Sequence, residues 1–485
     1  MSSTRSATSV VRSHAVKSLL LDVSSLVVLT ALTAQGMCLA QELPDLAVST
    51  EDWSRSDVTI APALARQFDT CRIYVRVHNN GKAEARNVRV KLTVRHPLPA
   101  DPWTTEFGLD SVPAKSSIAE MLQFEPDQNG IHTVSVAVDP QDAVRETDEA
   151  NNTATLAFPV VRREVFIYYH GGDNRLKLMK MRYYTHTTFS AQPIMEQAGW
   201  PASKERAYWT RRGVKLLLHR AGTPSRSSVA TVEQRVAYWA ETGQDLIIDE
   251  LLNRPGEESI LMARACKAFK ERYPHIQLVV WCAPEPFESY HQGLRYADAV
   301  LPEVYLRHEG QYKDTDWHLA NHRKGGFAGR TFIALAMDSR QGTDEDGHKC
   351  PRWSSDRSET ERQIRSLRTA RPEMMGVGLY GNFAEEDLIA EADDLFYRYW
   401  VMPVLTLERG SDAGAVRLRN IGAMDARDVV VVGKGGGRDW VNKVPVLQAG
   451  KGLKLALPVG GGGGTVRIEP APALTLLHGE LRIDD

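Results

Sequence analysis

The chain has 485 residues, a formal net charge of −2, 42% hydrophobic residues and 25% charged residues. This length exceeds what one hydrophobic core supports, so we expect about three domains. The near-neutral charge lacks the cationic excess that nucleic-acid binding requires, and no nucleic-acid partner is expected. The five cysteines include no C-x-x-C pair, which argues against a zinc ribbon or a thioredoxin-like redox site.

Residues 1–40 are predicted to be an export signal. Basic residues precede a mostly apolar run, 18–34, and Cys38 and Ala40 place small side chains at the two positions that a signal peptidase recognises. We therefore expect cleavage after residue 40 and a mature protein without a membrane span, located in the periplasm, on the cell surface or outside the cell. An uncleaved membrane anchor is the alternative.

Residues 44–160 are predicted to form an all-β sandwich of the immunoglobulin type. Polar and apolar residues alternate in strands at 72–77, 87–94 and 132–138. Asn79-Asn80-Gly81 is predicted to join the first two strands as a hairpin, because Asn and Gly accept positive φ at low cost. Short alternating strands with turns at this spacing are typical of an antiparallel sandwich.

Two motifs in this region resemble the CARDB family, a bacterial extracellular immunoglobulin-like module. The matching residues are Asn79, Asn80, Gly81, Ala85, Val88 and Val90, followed by Val138, Asp139, Pro140, Val144, Glu146, Glu149, Asn151 and Asn152. The resemblance covers roughly 115 residues. It implies an accessory role beside another domain and carries over no catalytic residue.

Residues 163–402 alternate short apolar strands with helical segments. The predicted strands are 165–169, 187–194, 214–218, 246–248, 276–280, 299–304, 331–337 and 375–379, and the predicted helices include 232–242, 260–272 and 359–369. Such alternation predicts parallel strands with right-handed crossovers, and eight units of this size fit a (β/α)8 TIM barrel. An open doubly wound sheet is the alternative. No G-x-G-x-x-G follows any strand, which argues against a dinucleotide cofactor.

Polar side chains gather at the predicted carboxyl ends of these strands. They are His170, Asp173, His219, Asp249, Glu250, Trp281, Glu285, Glu303, Tyr305, Asp338, Tyr380 and Asn382. In a barrel these ends share one rim. Carboxylates bind hydroxyls and exchange protons, and Trp281, Tyr305 and Tyr380 can stack on sugar rings. The set therefore predicts a carbohydrate ligand at the rim.

The domain is similar in plan to glycoside hydrolases of the (β/α)8 type. Many of these place one catalytic carboxylate after strand four and another after strand six or seven. The largest such clan carries Asn-Glu after strand four, whereas this chain carries Asp249-Glu250. The resemblance is therefore to architecture and carboxylate placement, and it assigns no numbered family.

Glycosidic cleavage requires one acid to protonate the leaving oxygen and a second carboxylate to attack or to activate water. We predict that Glu250 is the general acid/base, with Asp338 as its partner and Glu303 as the substitute partner. Asp249 would orient Glu250 or raise its pKa. Other roles are open for each: a helix N-cap for Asp249 and Glu250, a loop ion pair for Asp338, and a buried salt bridge for Glu303.

The remaining rim residues are predicted to bind substrate, namely His170, Asp173, His219, Trp281, Glu285, Tyr305, Tyr380 and Asn382. Two metal sites are alternatives to this prediction. His318 and His322 have the spacing of one helix face but lack the Glu of a metalloprotease motif. His170, Asp173 and His219 could ligate a metal, but lining of a sugar pocket is favoured, and no metal or cofactor is expected.

Residues 403–485 are predicted to form a third, small all-β domain. Residues 420–431 align without a gap with 79–90, and Asp425 and Asp428 stand opposite Glu84 and Asn87. This predicts a degenerate second copy of the first module, with convergence as the alternative. The whole chain is thus expected to be an exported glycosidase, or alternatively a non-catalytic carbohydrate-binding or adhesive surface protein.

Overall fold

The computed structural model describes most of the chain after residue 41. The described residues are 42–50, 56–170, 180–189, 202–221, 231–251, 257–282, 293–304, 320, 323–326, 328–338, 340–343, 349–351, 356–410, 415–435, 438–456 and 464–483. The predicted export signal, 1–40, lies outside them. Among the described helices, none combines the length and apolarity needed to cross a membrane.

The N-terminal domain is a two-sheet antiparallel sandwich. Its strands are β1 (Leu46–Ala47), β2 (Val58–Ala61), β3 (Ala65–Arg66), β4 (Cys71–Asn79), β5 (Ala85–Arg95), β6 (Trp103–Val112), β7 (Ser116–Phe124), β8 (Gly130–Val138) and β9 (Thr153–Val161). β4 pairs with β1, β2 and β7 in one sheet, and the other sheet has the order β3-β9-β8-β5-β6. Alternating apolar residues of both sheets form the core between them.

The predicted hairpin at Asn79-Asn80-Gly81 is wrong. β4 and β5 do not pair; they lie in opposite sheets, and the turn carries the chain across the sandwich. The buried Asn79 amide fixes this crossing by donating to the carbonyls of Ala83 and Val112. Asn and Gly therefore form a turn between two sheets here, which the local sequence does not distinguish from a hairpin turn.

The central domain is a parallel eight-stranded barrel. Its strands are β10 (Phe166–His170), β11 (His186–Phe189), β12 (Lys215–Ala221), β13 (Leu246–Leu251), β14 (Leu278–Cys282), β15 (Ala299–Pro302), β16 (Ala334–Asp338) and β19 (Gly376–Phe383), with a small hairpin of β17 (Gln341–Thr343) and β18 (Lys349–Pro351) after β16. The order β15-β14-β13-β12-β11-β10-β19-β16 follows the chain around the sheet. Hydrogen bonds from Phe332 to Val300 and from Val304 to Ala334 connect β16 back to β15.

The described helices cover the outside of the barrel. They are α1 (Ala202–Arg211), α2 (Val232–Ala240), α3 (Glu257–Arg272), α4 (Arg357–Ala370) and α5 (Glu386–Phe396). Helix α2 begins at a capping box in which Thr231 and Gln234 satisfy each other's backbone N–H groups. Helix α4 begins where the Asp356 side chain accepts from the Glu359 N–H. All eight predicted strands and the three predicted helices are present with shifted ends.

Strand alternation divides the barrel residues between its interior and the helix layer. Ile247 packs inside the barrel, whereas Ile248 packs with residues of α2 and α3. The interior cluster is Phe166, Tyr168, Leu217, Ile247, Val279, Trp281, Ala299, Leu301 and Ala334. The barrel centre is therefore a packed core, and only its upper end is available for ligands.

The C-terminal residues form a second sandwich. Its strands are β20 (Val404–Arg409), β21 (Ala415–Asn420), β22 (Ala426–Gly435), β23 (Arg438–Leu447), β24 (Gly452–Ala456), β25 (Gly464–Ile468), β26 (Thr475–His478) and β27 (Glu480–Ile483). The sheet orders are β24-β21-β20-β26 and β23-β22-β25-β27. The second order repeats the order β6-β5-β8-β9 of the N-terminal domain.

Asp425 joins the two sandwiches directly. Its carboxylate accepts two hydrogen bonds of 2.9 Å from Arg162 and one of 3.1 Å from Asn129, while its backbone N–H donates to Asn129. The backbone N–H groups of Arg162 and Arg163 both donate to the carbonyl of Ala423. The linker into the barrel therefore lies on the C-terminal domain, so the three domains are in direct contact.

Candidate active site

A cluster of rings lies at the upper end of the barrel interior. His170, at the end of β10, stacks on Tyr380 of β19 with ring centroids 5.3 Å apart and an interplanar angle of 28°. Its ring also contacts Trp281, at 5.6 Å, and His219, at 5.8 Å. The structure thus brings four of the predicted substrate-binding residues, from four different strands, into one cluster.

Tyr168 and Thr188 orient the His170 ring from below. The Tyr168 hydroxyl and the Thr188 hydroxyl each lie 3.2 Å from His170 Nδ1, and the two hydroxyls are hydrogen bonded to each other. Neither residue is among those predicted from the sequence. The available signal was position: Tyr168 precedes His170 by two residues and therefore shares its face of β10.

Trp281 forms part of the floor of the site. It is 2% exposed and packs against both Tyr168, at 5.4 Å between ring centroids, and His170. The half-buried rings of His170 and Tyr380 lie nearer the surface. The stacking surface predicted for Trp281 is therefore offered by His170 and Tyr380, with Trp281 behind them.

Asp338 is fully buried and paired with Arg340. Its Oδ2 accepts from Arg340 Nη2 at 2.8 Å, its Oδ1 accepts from Nε at 3.0 Å, and the Arg340 backbone N–H also donates to Oδ1 at 2.9 Å. These hydrogen bonds raise the pKa of Arg340 above its ordinary value. Asp338 therefore forms the loop ion pair that was its alternative role, and both of its carboxylate oxygens accept hydrogen bonds from Arg340.

Glu303 lies half-buried at the end of β15. Its backbone N–H donates to the carbonyl of Cys282 at 2.8 Å, and it bridges to Ala334 on β16. Leu301, two residues earlier, packs inside the barrel, so alternation assigns Glu303 to the interior side of the rim. This carboxylate is therefore placed on the same side as the ring cluster.

The other predicted site residues are described in part or not at all. Strand β13 includes the main chain of Asp249 and Glu250, and β19 includes that of Asn382, but their side chains lie outside the described residues. Asp173, Glu285, Tyr305, His318 and His322 also lie outside them. Their assignments remain predictions. Within the described part of the chain, no three His, Cys, Asp or Glu side chains are grouped to hold a metal ion.

The fold and rim define a protein with a (β/α)8 barrel between two β-sandwich domains. The CARDB family model matches residues 43–156, and this region is a CARDB domain. It is similar to the CARDB domain of a Pyrococcus furiosus protein solved with di-metal ions, at 26% identity over 25% of this chain and 90% of that chain, with a TM-score of 0.19. A domain of a Methanosarcina acetivorans cell surface protein matches at 24% identity over 25% and 96%, with a TM-score of 0.18.

A longer similarity covers the barrel as well. Bacteroides uniformis β-glucuronidase matches 91% of this chain at 10% identity, with a TM-score of 0.32, and this chain spans 62% of that protein. A similarity at this identity and TM-score does not show that the two proteins share an activity. No curated protein matches the chain.

Proposed function

We propose that the barrel is an exported carbohydrate-active enzyme that hydrolyses glycosidic bonds at the rim around His170. The observation that carries this proposal is the stacked pair of His170 and Tyr380 on the interior side that Glu303 also occupies. A ring platform and an acid on the same side of the barrel rim match what sugar binding and glycosidic cleavage require. The CARDB domain supports export, since one similar domain belongs to a cell surface protein.

The ring platform favours a sugar over a charged cofactor. The C–H face of a pyranose packs on aromatic and imidazole rings, while its hydroxyls bond to nearby polar groups. His170 and Tyr380 are nearly parallel, and Tyr168 with Thr188 fixes the His170 ring. Substrate would thus meet a surface that is already ordered before binding.

Among the acids, Glu303 is a better partner for Glu250 than Asp338. A nucleophile or base needs an oxygen that can reach the substrate. Both oxygens of Asp338 accept hydrogen bonds from Arg340, and the residue is fully buried. We therefore propose that Asp338 positions Arg340 at the rim and that Glu303 is the second catalytic carboxylate.

Strand geometry does not choose between Asp249 and Glu250. Ile247 packs in the barrel interior and Ile248 in the helix layer, so consecutive residues of β13 serve opposite faces. A register shift occurs between Ile248 and Leu251, so continued alternation cannot be assumed up to the acids. We keep Glu250 as the general acid and Asp249 as its neighbour, and test both.

The test measures release of reducing ends from a panel of polysaccharides. Glu250→Gln and Glu303→Gln are expected to lose roughly 10²–10⁴-fold in activity, the usual range for a lost acid or base. Asp249→Asn separates the two neighbours, and Glu271→Gln, on the exposed surface of α3, is the matched control. Wild-type activity in both Glu250→Gln and Asp249→Asn would reject hydrolysis by this pair.

A non-catalytic carbohydrate-binding protein is the second candidate. The Asp338–Arg340 ion pair favours it, because a paired carboxylate stabilises a rim without taking part in chemistry. The panel distinguishes the two functions. Retained glycan binding with no product from any substrate supports the binding protein, whereas product release that depends on Glu303 supports the enzyme.

A further inference from the structure

A cavity lies at the end of the barrel opposite the ring cluster, between the lower face of the barrel and the CARDB domain. Its volume is about 600 Å3, within the range of small-molecule sites. Residues 61–72 of the CARDB domain form one wall, and the first residues of β11 and β12 form the other. The two walls are in close contact at Gly213. A Cβ at this position would lie 2.7 Å from Cα of Pro62, and the φ of Gly213 is +67°.

The charges in this cavity leave two cations without an acidic partner. Arg66 lies 3.5 Å from Asp69 and 3.9 Å from Glu164, so both acids of the lining pair with this one cation. Arg72 of the CARDB domain and Lys215 of β12 also line the cavity, and neither forms a salt bridge within the described residues. The lining holds three cations and two acids and therefore has a net charge of +1, and its two cations without a salt bridge come from different domains.

Two polar atoms of residues in the same lining are closed to the cavity. The Tyr184 hydroxyl and His186 Nε2 are buried, in residues that are 2% and 5% exposed, so neither reaches a ligand there. Burial and, to a smaller extent, Lys215 lower the pKa of His186 to about 3. His186 is thus neutral near neutral pH and adds no charge to the cavity.

We propose that this cleft binds an anionic, hydroxyl-rich ligand: a short oligosaccharide segment that bears carboxylate or sulfate groups. Arg72 and Lys215 hold the anionic groups from opposite walls. The hydroxyl of Thr70 and the amide of Gln123, both exposed residues of the lining, bond the hydroxyls. The site is at the far end of the barrel from the ring cluster, so this proposal does not depend on hydrolysis at the rim.

Binding from two walls has a structural consequence. Arg72 belongs to β4 of the CARDB domain and Lys215 to β12 of the barrel. A ligand that spans them contacts both domains at once and stabilises their relative position through binding free energy. The CARDB domain would therefore contribute residues to a binding site and not serve only as a spacer.

The experiment measures binding of three probes to the full chain by calorimetry. An oligogalacturonate supplies carboxylates, dextran sulfate supplies sulfates, and neutral dextran supplies hydroxyls alone. We expect either anionic probe to bind and neutral dextran to bind at least tenfold more weakly, because hydrogen bonds to charged groups dominate. The stronger of the two anionic probes identifies the anionic group that the site takes.

The decisive variant is Arg72→Gln/Lys215→Gln. It is expected to weaken binding of the anionic probe by at least about tenfold. The control, Lys91→Gln/Arg95→Gln, makes the same charge change on exposed positions of β5 outside the cavity. Thr70→Trp fills the cavity without removing charge and is expected to weaken binding as well.

Four results would overturn the proposal. One is absence of binding to either anionic probe, and another is equal binding of neutral dextran. The third is unchanged affinity in both Arg72→Gln/Lys215→Gln and Thr70→Trp. Loss of binding in the control pair as well would show a diffuse charge effect and would also overturn it.

Discussion

The side-chain amides of Asn79 and Asn420 make the same four hydrogen bonds in two different domains. Each side-chain oxygen accepts from the backbone N–H two residues later, and each amide nitrogen donates to the carbonyl four residues later. The partners are Asp45, Gly81, Ala83 and Val112 for Asn79, and Val404, Gly422, Met424 and Leu447 for Asn420. All eight distances lie between 2.8 and 3.2 Å.

The likeness extends along the chain from each Asn. Asn87 and Asp428 both adopt positive φ, of 55° and 51°, at equivalent positions of β5 and β22. The strand order of one sheet is also the same in the two domains. The two sandwiches therefore share a turn, a positive-φ position and a sheet order, and a second copy of the first module stays a prediction.

Replacement of either Asn by Ala should destabilise its own sandwich. Asn420→Ala leaves two buried N–H groups and two carbonyls without their partner, and we expect a loss of about 3 kcal/mol. Asn79→Ala should do the same in the CARDB domain. Hydrogen–deuterium exchange of peptides from each domain measures the effect locally. Asn80→Ala, at an exposed neighbouring position, is the control, and equal protection in Asn420→Ala and the wild type would contradict the prediction.

The contact between the two sandwiches should weaken in acid. Burial alone would raise the pKa of Asp425, but hydrogen bonds from the Ala449 N–H, Asn129 and Arg162 outweigh it and hold the pKa below its ordinary value of 3.8. The folded state thus binds fewer protons than the unfolded state near this pH. The stabilisation is present above about pH 4 and is lost as the pH falls through the folded-state pKa.

Asp425→Asn tests this acid dependence. The variant should be less stable at neutral pH and should lose part of the decline in stability below about pH 4. Urea midpoints at a series of pH values measure both effects. Asp439→Asn, an exposed change in the same domain, should follow the wild-type profile. An Asp425→Asn profile parallel to that of the wild type at every pH would show that this carboxylate does not couple to folding.

The barrel interior should not tolerate a methyl group at Gly378. A Cβ there would lie 2.8 Å from Leu301 Cδ2 and 3.3 Å from Trp281 Cζ3. Gly378→Ala should therefore cost about 1–3 kcal/mol and lower the Tm, since overpacking forces neighbours off their rotamers. Gly329→Ala is the matched control because a Cβ at that position meets nothing within 4 Å. Equal melting temperatures for the two variants would refute this packing argument.

A double-mutant cycle measures the coupling between Asp338 and Arg340 at the rim. Its variants are Asp338→Asn, Arg340→Met and the two changes together. Arg340→Met leaves the fully buried Asp338 carboxylate with only the backbone N–H, so the Tm should fall. Asp338→Asn/Arg340→Met should be more stable than Arg340→Met, because the unpaired charge is gone. Arg417→Met, an exposed arginine on β21, is the control. Additive effects of the two single changes would mean that the pair is not coupled.

Strand positions were predictable because they depend on local periodicity. All eight barrel strands were located from apolar runs, and strand β13 was marked by Leu246-Ile247-Ile248 followed by two acids. The roles of individual side chains were less accessible. Asp338 and Glu303 look alike in sequence, each an acid at a strand end. In the structure Asp338 is buried and paired with Arg340, whereas Glu303 is half-buried.

The sequence by itself determined the order of domains, the barrel and its rim, and the CARDB domain, since hydrophobic alternation and turn residues act over a few positions. Only the tertiary structure decided that the Asn79 turn joins two sheets, that Tyr168 and Thr188 hold His170, and that Asp425 binds Arg162. These pairings form between residues far apart in the chain. Their geometry depends on how whole sheets and domains approach one another, which no local pattern records.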